Sequence, residues 1–288
     1  MQVKKAVIPA AGMGTRFLPL TKSMPKEMLP IIDRPVIHYV VEEAIHSGIT
    51  DILIITGRGK RAIEDYFDAS PELETYLKNH NKSELLSALE QISDAGCIHY
   101  IRQKEPRGLG DALLHAQKHC DGEPFAVLLG DDIMKDHIPC TRQLMQTFEK
   151  KQSPVIAVQN VALEDTLNYG IVRGRKIEQN LYQIDNIVEK PHPVNAPSTL
   201  ASIGRYVFIP EIFDYLRSTA PGVNKEIQLT DGIKSMLEKH PSYAYLFTGK
   251  RYDTGNKLKY IQTIIEFALA DDKMKEPLSR YLKDVIKE

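Results

Sequence analysis

The chain has 288 residues, of which 42% are hydrophobic and 26% charged, enough to bury a sizeable core in one or two domains. Its formal net charge of −1 supplies no global field for nucleic acid or an anionic membrane, so any anion must be held by a local cluster. No apolar run approaches the ~20 residues of a membrane span, and Met1-Gln2-Val3-Lys4-Lys5 lacks the apolar core of a signal peptide, so the expected location is the cytoplasm.

Ala6-Val7-Ile8-Pro9 reads as the first strand of a buried sheet. It leads into Ala10-Ala11-Gly12-Met13-Gly14-Thr15-Arg16-Phe17, where two glycines one residue apart let backbone N–H groups approach an anion. Arg16 and Lys26 add two cations, and together they suggest a phosphorylated ligand, foremost a nucleoside triphosphate. The loop is no P-loop, since no Lys-Ser/Thr pair closes it, and no Rossmann fingerprint, since Phe17 stands where a third glycine belongs.

Pro35 then opens a helix whose stripe of Val36, Ile37, Val40, Val41, Ala44 and Ile45 ends before Gly48. A second strand is expected at 51–56, helices at 60–67, 71–79 and 83–93, and a third strand at 97–102. A helix over 111–120 leads to a fourth strand at 125–129 and to Gly130-Asp131-Asp132. This alternation predicts an α/β fold with a parallel sheet covered on both faces and ligands at the carboxyl ends of its strands.

The second half is less regular. Strands are expected at 154–161, 200–209 and 243–247, antiparallel hairpins over 169–189, and helices at 210–217 and 226–239. Residues 250–255 read as a loop, and two helices finish the chain. No linker separates independent domains, so one domain with a small antiparallel subregion is expected.

Cys97, Cys120 and Cys140 are odd in number and far apart, which argues against disulfides or zinc. His115 and His119 share helical spacing but lack the Glu of a zinc-protease helix, so they read as helix surface. Asp131 and Asp132, delivered by an apolar strand to the ligand edge, suit an oxygen-loving cation such as Mg²⁺, with Asp253 as a second ligand, or else they cap and solvate a turn. Gln103 has an amide that suits the edge of uracil or thymine, yet an amide free to flip does not by itself exclude cytosine, and a surface glutamine remains the plain alternative. Glu189-Lys190-Pro191 could take sugar hydroxyls and a phosphate, or form a surface ion pair.

Together, Gly12-Met13-Gly14-Thr15-Arg16-Phe17-Leu18-Pro19 and Met24-Pro25-Lys26-Glu27-Met28-Leu29-Pro30 resemble the signature of sugar-1-phosphate nucleotidylyltransferases. Arg102-Gln103-Lys104-Glu105-Pro106, Leu128-Leu129-Gly130-Asp131-Asp132, Val188-Glu189-Lys190-Pro191, Glu226-Ile227-Gln228-Leu229-Thr230-Asp231 and Lys250-Arg251-Tyr252-Asp253-Thr254-Gly255 resemble the bacterial branch that joins UTP to glucose 1-phosphate. The resemblance covers about residues 3 to 270.

It implies a Rossmann-like, mixed but mostly parallel sheet, with a nucleotide-binding half over about 1–135, a sugar-phosphate half over about 136–255 and C-terminal helices over about 256–288. It implies that Ala10, Ala11, Gly12, Gly14 and Thr15 line the nucleotide, that Arg16 and Lys26 bind its phosphates, and that Glu27, Gln103 and Gly108 lie near uracil. Asp131 and Asp253 would hold Mg²⁺, and Asp132, Gly170, Glu189, Lys190 and Glu226 would serve glucose 1-phosphate. Arg16, Lys26, Asp131 and Lys190 would then carry catalysis by positioning and charge neutralisation.

Rival functions for the same motifs are a thymidylyltransferase, a glycosyltransferase, whose usual D-x-D is not matched here, and a non-catalytic nucleotide-sugar sensor. The resemblance points to a homo-oligomer, dimer or tetramer, with Tyr281, Leu282, Val285 and Ile286 as a candidate contact.

Overall fold

The structure is a computed structural model and describes residues 1–222 and 225–287. In chain order it runs β1 (Lys5–Pro9), three single 3-10 turns between Thr15 and Met28, β2 (Pro30–Ile31), β3 (Arg34–Pro35), α1 (Val36–His46) and β4 (Asp51–Thr56). Next come α2 (Arg61–Phe67), α3 (Pro71–Asn79), α4 (Ser83–Ser93), β5 (Cys97–Arg102), α5 (Leu109–Leu114), α6 (Gln117–Cys120), β6 (Phe125–Leu128) and β7 (Asp132–Lys135). The second half holds α7 (Cys140–Lys151), β8 (Val155–Asn160), β9 (Gly170–Glu178), β10 (Leu181–Glu189), β11 (Leu200–Phe208), α8 (Ile212–Ser218) and α9 (Leu229–Met236). It closes with β12 (Tyr243–Leu246), β13 (Lys250–Asp253), α10 (Lys257–Ala270) and α11 (Lys275–Lys287).

A nine-stranded sheet in the order β5-β4-β1-β6-β11-β8-β12-β10-β9 forms the core. Its first four strands are parallel. Side chains alternate across it, as a period of two requires. Val7, Leu53, Ile55 and Val127 join Leu113, Leu216 and Ile233 of α5, α8 and α9 on one face. Ala6, Ile8, Ile52, Ile54 and Leu128 join Val40, Leu144 and Phe148 of α1 and α7 on the other. With both faces covered, the strand tips are the place left for polar work.

Several elements differ from the expectations. The helix expected over 111–120 starts at Leu109 and is interrupted at His115 and Ala116. The helix expected from Glu226 begins at Leu229, because residues 226–227 pair with another loop instead: Ile227 N donates to Arg107 O at 2.8 Å and Gly110 N to Ile227 O at 2.9 Å. Residues 169–189 form one long hairpin, β9–β10, and the antiparallel strands continue the main sheet. Helix α7 was not anticipated, although Pro139 precedes it and Cys140, Leu144, Met145 and Phe148 are buried. Residues 250–255, read as a loop, contain β13, which pairs antiparallel with β7 in a two-stranded ribbon.

Candidate active site

A cleft of about 510 Å³ opens at the carboxyl ends of the parallel strands. Arg16, Asp131, Asp132, Gly170, Glu189, Lys190, Glu226 and Asp253 all line it. A larger cavity of about 700 Å³ lies between α1, α2 and the α3–α4 hairpin, but its lining is largely apolar and includes none of these residues.

The β7–β13 ribbon sets Asp132 opposite Asp253. It also fixes Asp131, whose carbonyl accepts from Thr254 Oγ1 at 2.6 Å and from Thr254 N at 3.3 Å. A Cβ at Gly255 would stand 3.2 Å from Asp253 Oδ1, 3.4 Å from Arg16 Nη1 and 3.7 Å from Asp131 Oδ2, so two carboxylates and a guanidinium converge on one point. Among the described residues no group of three or more His, Cys, Asp or Glu side chains is placed to hold a metal. Mg²⁺ commonly takes one or two protein carboxylates and completes its shell with water and substrate phosphates, so the converging pair Asp131 and Asp253 fits such an ion.

Lys26 lies 2.5 Å from Asp131 Oδ2. Burial alone would push the Asp131 carboxyl up, but Lys26, and more weakly Arg251, outweigh it and hold the group below its ordinary value. Lys26 is the mirror case: burial lowers it, yet Asp131 and Glu27 hold the ammonium above its usual range. Asp132, expected on the sugar phosphate, is instead gripped by Arg251, whose Nε and Nη2 donate to its two oxygens at 2.8 and 3.0 Å. That fork is geometrically specific, and it anchors the ribbon.

At the glycine loop, Ala10 N donates to Ile55 O at 2.8 Å, which ties the loop to the tip of β4. Ala11 lies under Gly57, Gly12 beside Lys26, and Thr15 is exposed one residue before Arg16. Gly14 has φ +65°, a left-handed turn that suits glycine. Glu27, expected near the base, is sealed in the interior at 1% exposure, 2.6 Å from Lys60. Gln103 and Gly108 sit at the tip of β5, and Gln103 is buried, with its backbone N donating to Thr56 O at 2.9 Å.

In the long hairpin, the β9–β10 register places Gly170 opposite Glu189. A Cβ at Gly170 would meet Thr230 Oγ1 at 3.1 Å and Glu189 Oε2 at 3.3 Å, so the glycine keeps this corner open. Thr230 donates to Glu189 at 2.6 Å and orients it. Lys190 has φ +43°, which turns the chain just past β10, and its ammonium lies 3.2 Å from Glu189. Glu226 borders Gly108, where a Cβ would stand 2.9 Å from its own Cβ.

Four participants were not singled out from sequence: Thr230, Tyr169, Arg251 and Arg205. Tyr169 donates to Asp253 Oδ2 at 3.3 Å. Arg205 is fully buried and pairs with Glu43 at 2.8 Å, while its guanidinium also donates to the carbonyls of Leu129 and Asp132 at 3.3 and 2.7 Å. It holds the turn that carries Asp131 from behind. Arg251 and Tyr169 lie in motif neighbourhoods the sequence did flag, whereas Arg205 carries no local signal.

Residues 5–268 match the model of the nucleotidyl transferase family. The chain is 53% identical over 285 residues to the UTP–glucose-1-phosphate uridylyltransferase of Bacillus subtilis (strain 168), covering 99% of this chain and 98% of the relative. It is 51% identical over 284 residues to the protein of the same name from Staphylococcus haemolyticus (strain JCSC1435), with 99% of each covered. A solved UDP-glucose pyrophosphorylase complexed with UDP-glucose superposes with a TM-score of 0.85 at 44% identity, covering 93% of this chain and all 100% of that one. The UTP-bound UGPase from Acinetobacter baumannii gives 0.89 at 37% identity, with 99% of each chain covered. A strand-tip cleft lined by these motifs and a family match along nearly the whole chain lead to one conclusion: the chain belongs to the nucleotidyl transferase family.

Proposed function

We propose that this protein transfers the uridylyl group of UTP to α-D-glucose 1-phosphate, releasing pyrophosphate and forming UDP-glucose. One observation carries the reading: a single cleft is lined by Arg16, Asp131 and Asp253 together with Gly170, Glu189 and Lys190, so two anionic substrates can meet in it. The named activities of the relatives support the same choice.

A phosphate monoester has a second pKa near 6, so glucose 1-phosphate arrives at pH 7 largely as a dianion and needs no base. Its phosphate oxygen attacks the α-phosphorus of UTP in line, and the bond to the β-phosphate oxygen breaks. Arg16 and Lys26 steady the triphosphate, and Lys190 steers the incoming phosphate. Glu189, oriented by Thr230, takes glucose hydroxyls at the corner kept open by Gly170, with Glu226 beside them. Asp131 and Asp253 would hold Mg²⁺, which when bound supplies charge to offset the crowded phosphates.

Gln103 and Gly108 take the base, and Ala10, Ala11, Gly12, Gly14 and Thr15 form the wall of the nucleotide. Glu27 and Asp132 support this site from beneath, through Lys60 and Arg251. We read residues 1–288 as one domain, with a nucleotide half to about 135 and a sugar-phosphate half to about 255, working in the cytoplasm as a homo-oligomer.

Incubation with UTP, glucose 1-phosphate and Mg²⁺ should give UDP-glucose and pyrophosphate in equal amounts. Binding of UDP-glucose without any turnover would make the protein a sensor instead.

A further inference from the structure

We infer that Asp111 is a positioning residue that selects uracil over cytosine by fixing the side-chain amide of Gln103; this rests on the proposal that Gln103 reads the base. Gln103 Nε2 donates to Asp111 Oδ2 at 2.6 Å and to the Gly108 carbonyl at 3.4 Å. The side chain is 5% exposed, so it has little freedom to turn outward.

Oxygen and nitrogen of an amide are assigned from their partners, and here the partners leave one assignment. A carboxylate and a backbone carbonyl both accept. Flipping the amide would set Gln103 Oε1 against two acceptors and leave its NH₂ without them. Both amide hydrogens are therefore engaged inward, and Gln103 offers a ligand its carbonyl oxygen alone.

Uracil carries a donor at N3, whereas cytosine has an acceptor there. An acceptor-only Gln103 pairs with the first and repels the second. A free glutamine would serve both bases by flipping, so the discrimination resides in Asp111. The wall behind it is rigid, because the loop 107–110 is hydrogen-bonded through its backbone to Ile227.

Asp111→Asn is the informative change, since it is nearly isosteric and an asparagine can either donate to or accept from Gln103. The UTP-to-CTP ratio of kcat/KM is expected to fall at least tenfold, about 1.4 kcal/mol, with the KM for glucose 1-phosphate unchanged. Asp111→Ser, whose hydroxyl also donates or accepts, should shift the ratio the same way and guards against a folding defect in the first variant. In a Gln103→Leu background, Asp111→Asn should leave the ratio where Gln103→Leu sets it. An unchanged ratio in both single variants, or parallel loss on UTP and CTP, would overturn the inference. If the wild-type protein does not turn over UTP at all, the uridylyl reading itself fails, and that outcome is distinct from a wild type that uses both nucleotides.

Discussion

On the proposed reading two demands meet at Asp131: the carboxylate has to stay ionised in a half-buried place, and it has to be free to bind a cation. Lys26 answers the first, at 2.5 Å. A metal and a phosphate arriving together would each take one member of this pair, so charge stays balanced throughout. Asp131→Ala is expected to abolish pyrophosphate release while the chain still folds, with a thermal midpoint lowered because Lys26 loses its partner. Arg205 is the structural counterpart. Removing one member of a buried pair strands the other, and Arg205→Met should destabilise the protein by about 3–5 kcal/mol. Urea unfolding would show it as a lower midpoint at unchanged slope; a stability within 1 kcal/mol of wild type would contradict this role.

At the scale of elements, two pairings between distant segments assemble the cleft. The β7–β13 ribbon brings Asp253 and Thr254 beside Asp131 and Asp132, and backbone bonds between Arg107–Gly110 and Ile227 join the loop after β5 to the segment before α9. Gly108 has φ +100°, and a Cβ there would stand 2.7 Å from Ile227 O. Strain of that kind costs about 1–3 kcal/mol, so Gly108→Ala should lower both the thermal midpoint and kcat/KM for UTP. Full activity in this variant would show that the close approach is dispensable.

The parallel strands were legible because Asp51–Thr56 and Cys97–Arg102 are short, β-branched runs with turn residues on either side. β13 was not, since Lys250-Arg251-Tyr252-Asp253 has no apolar alternation and its partner lies more than a hundred residues earlier. The resemblance put Asp132 and Glu27 near the ligands, but a motif does not show the partners a carboxylate has in the fold: Arg251 holds Asp132 at the cleft and Lys60 holds Glu27 in the interior.

Over the whole molecule, one sheet joins four parallel strands to a mixed second part, and the cleft opens at the carboxyl ends of the parallel strands. No helix among the described residues is long and apolar enough to cross a membrane. On α11, Tyr281, Val285 and Ile286 are 64%, 49% and 81% exposed, an apolar stripe of the kind that buries against another subunit. Light scattering at micromolar concentration should therefore report a dimer or tetramer, and a monomer throughout would remove that proposal.

Uridylyl and thymidylyl transfer differ only by one methyl group on the base and one hydroxyl on the sugar of the nucleotide. Steady-state pyrophosphate release from glucose 1-phosphate and Mg²⁺, with UTP and dTTP compared at matched concentrations, separates the two. A higher kcat/KM is predicted for UTP; a preference for dTTP, or no pyrophosphate from either, would exclude uridylyl transfer as the activity.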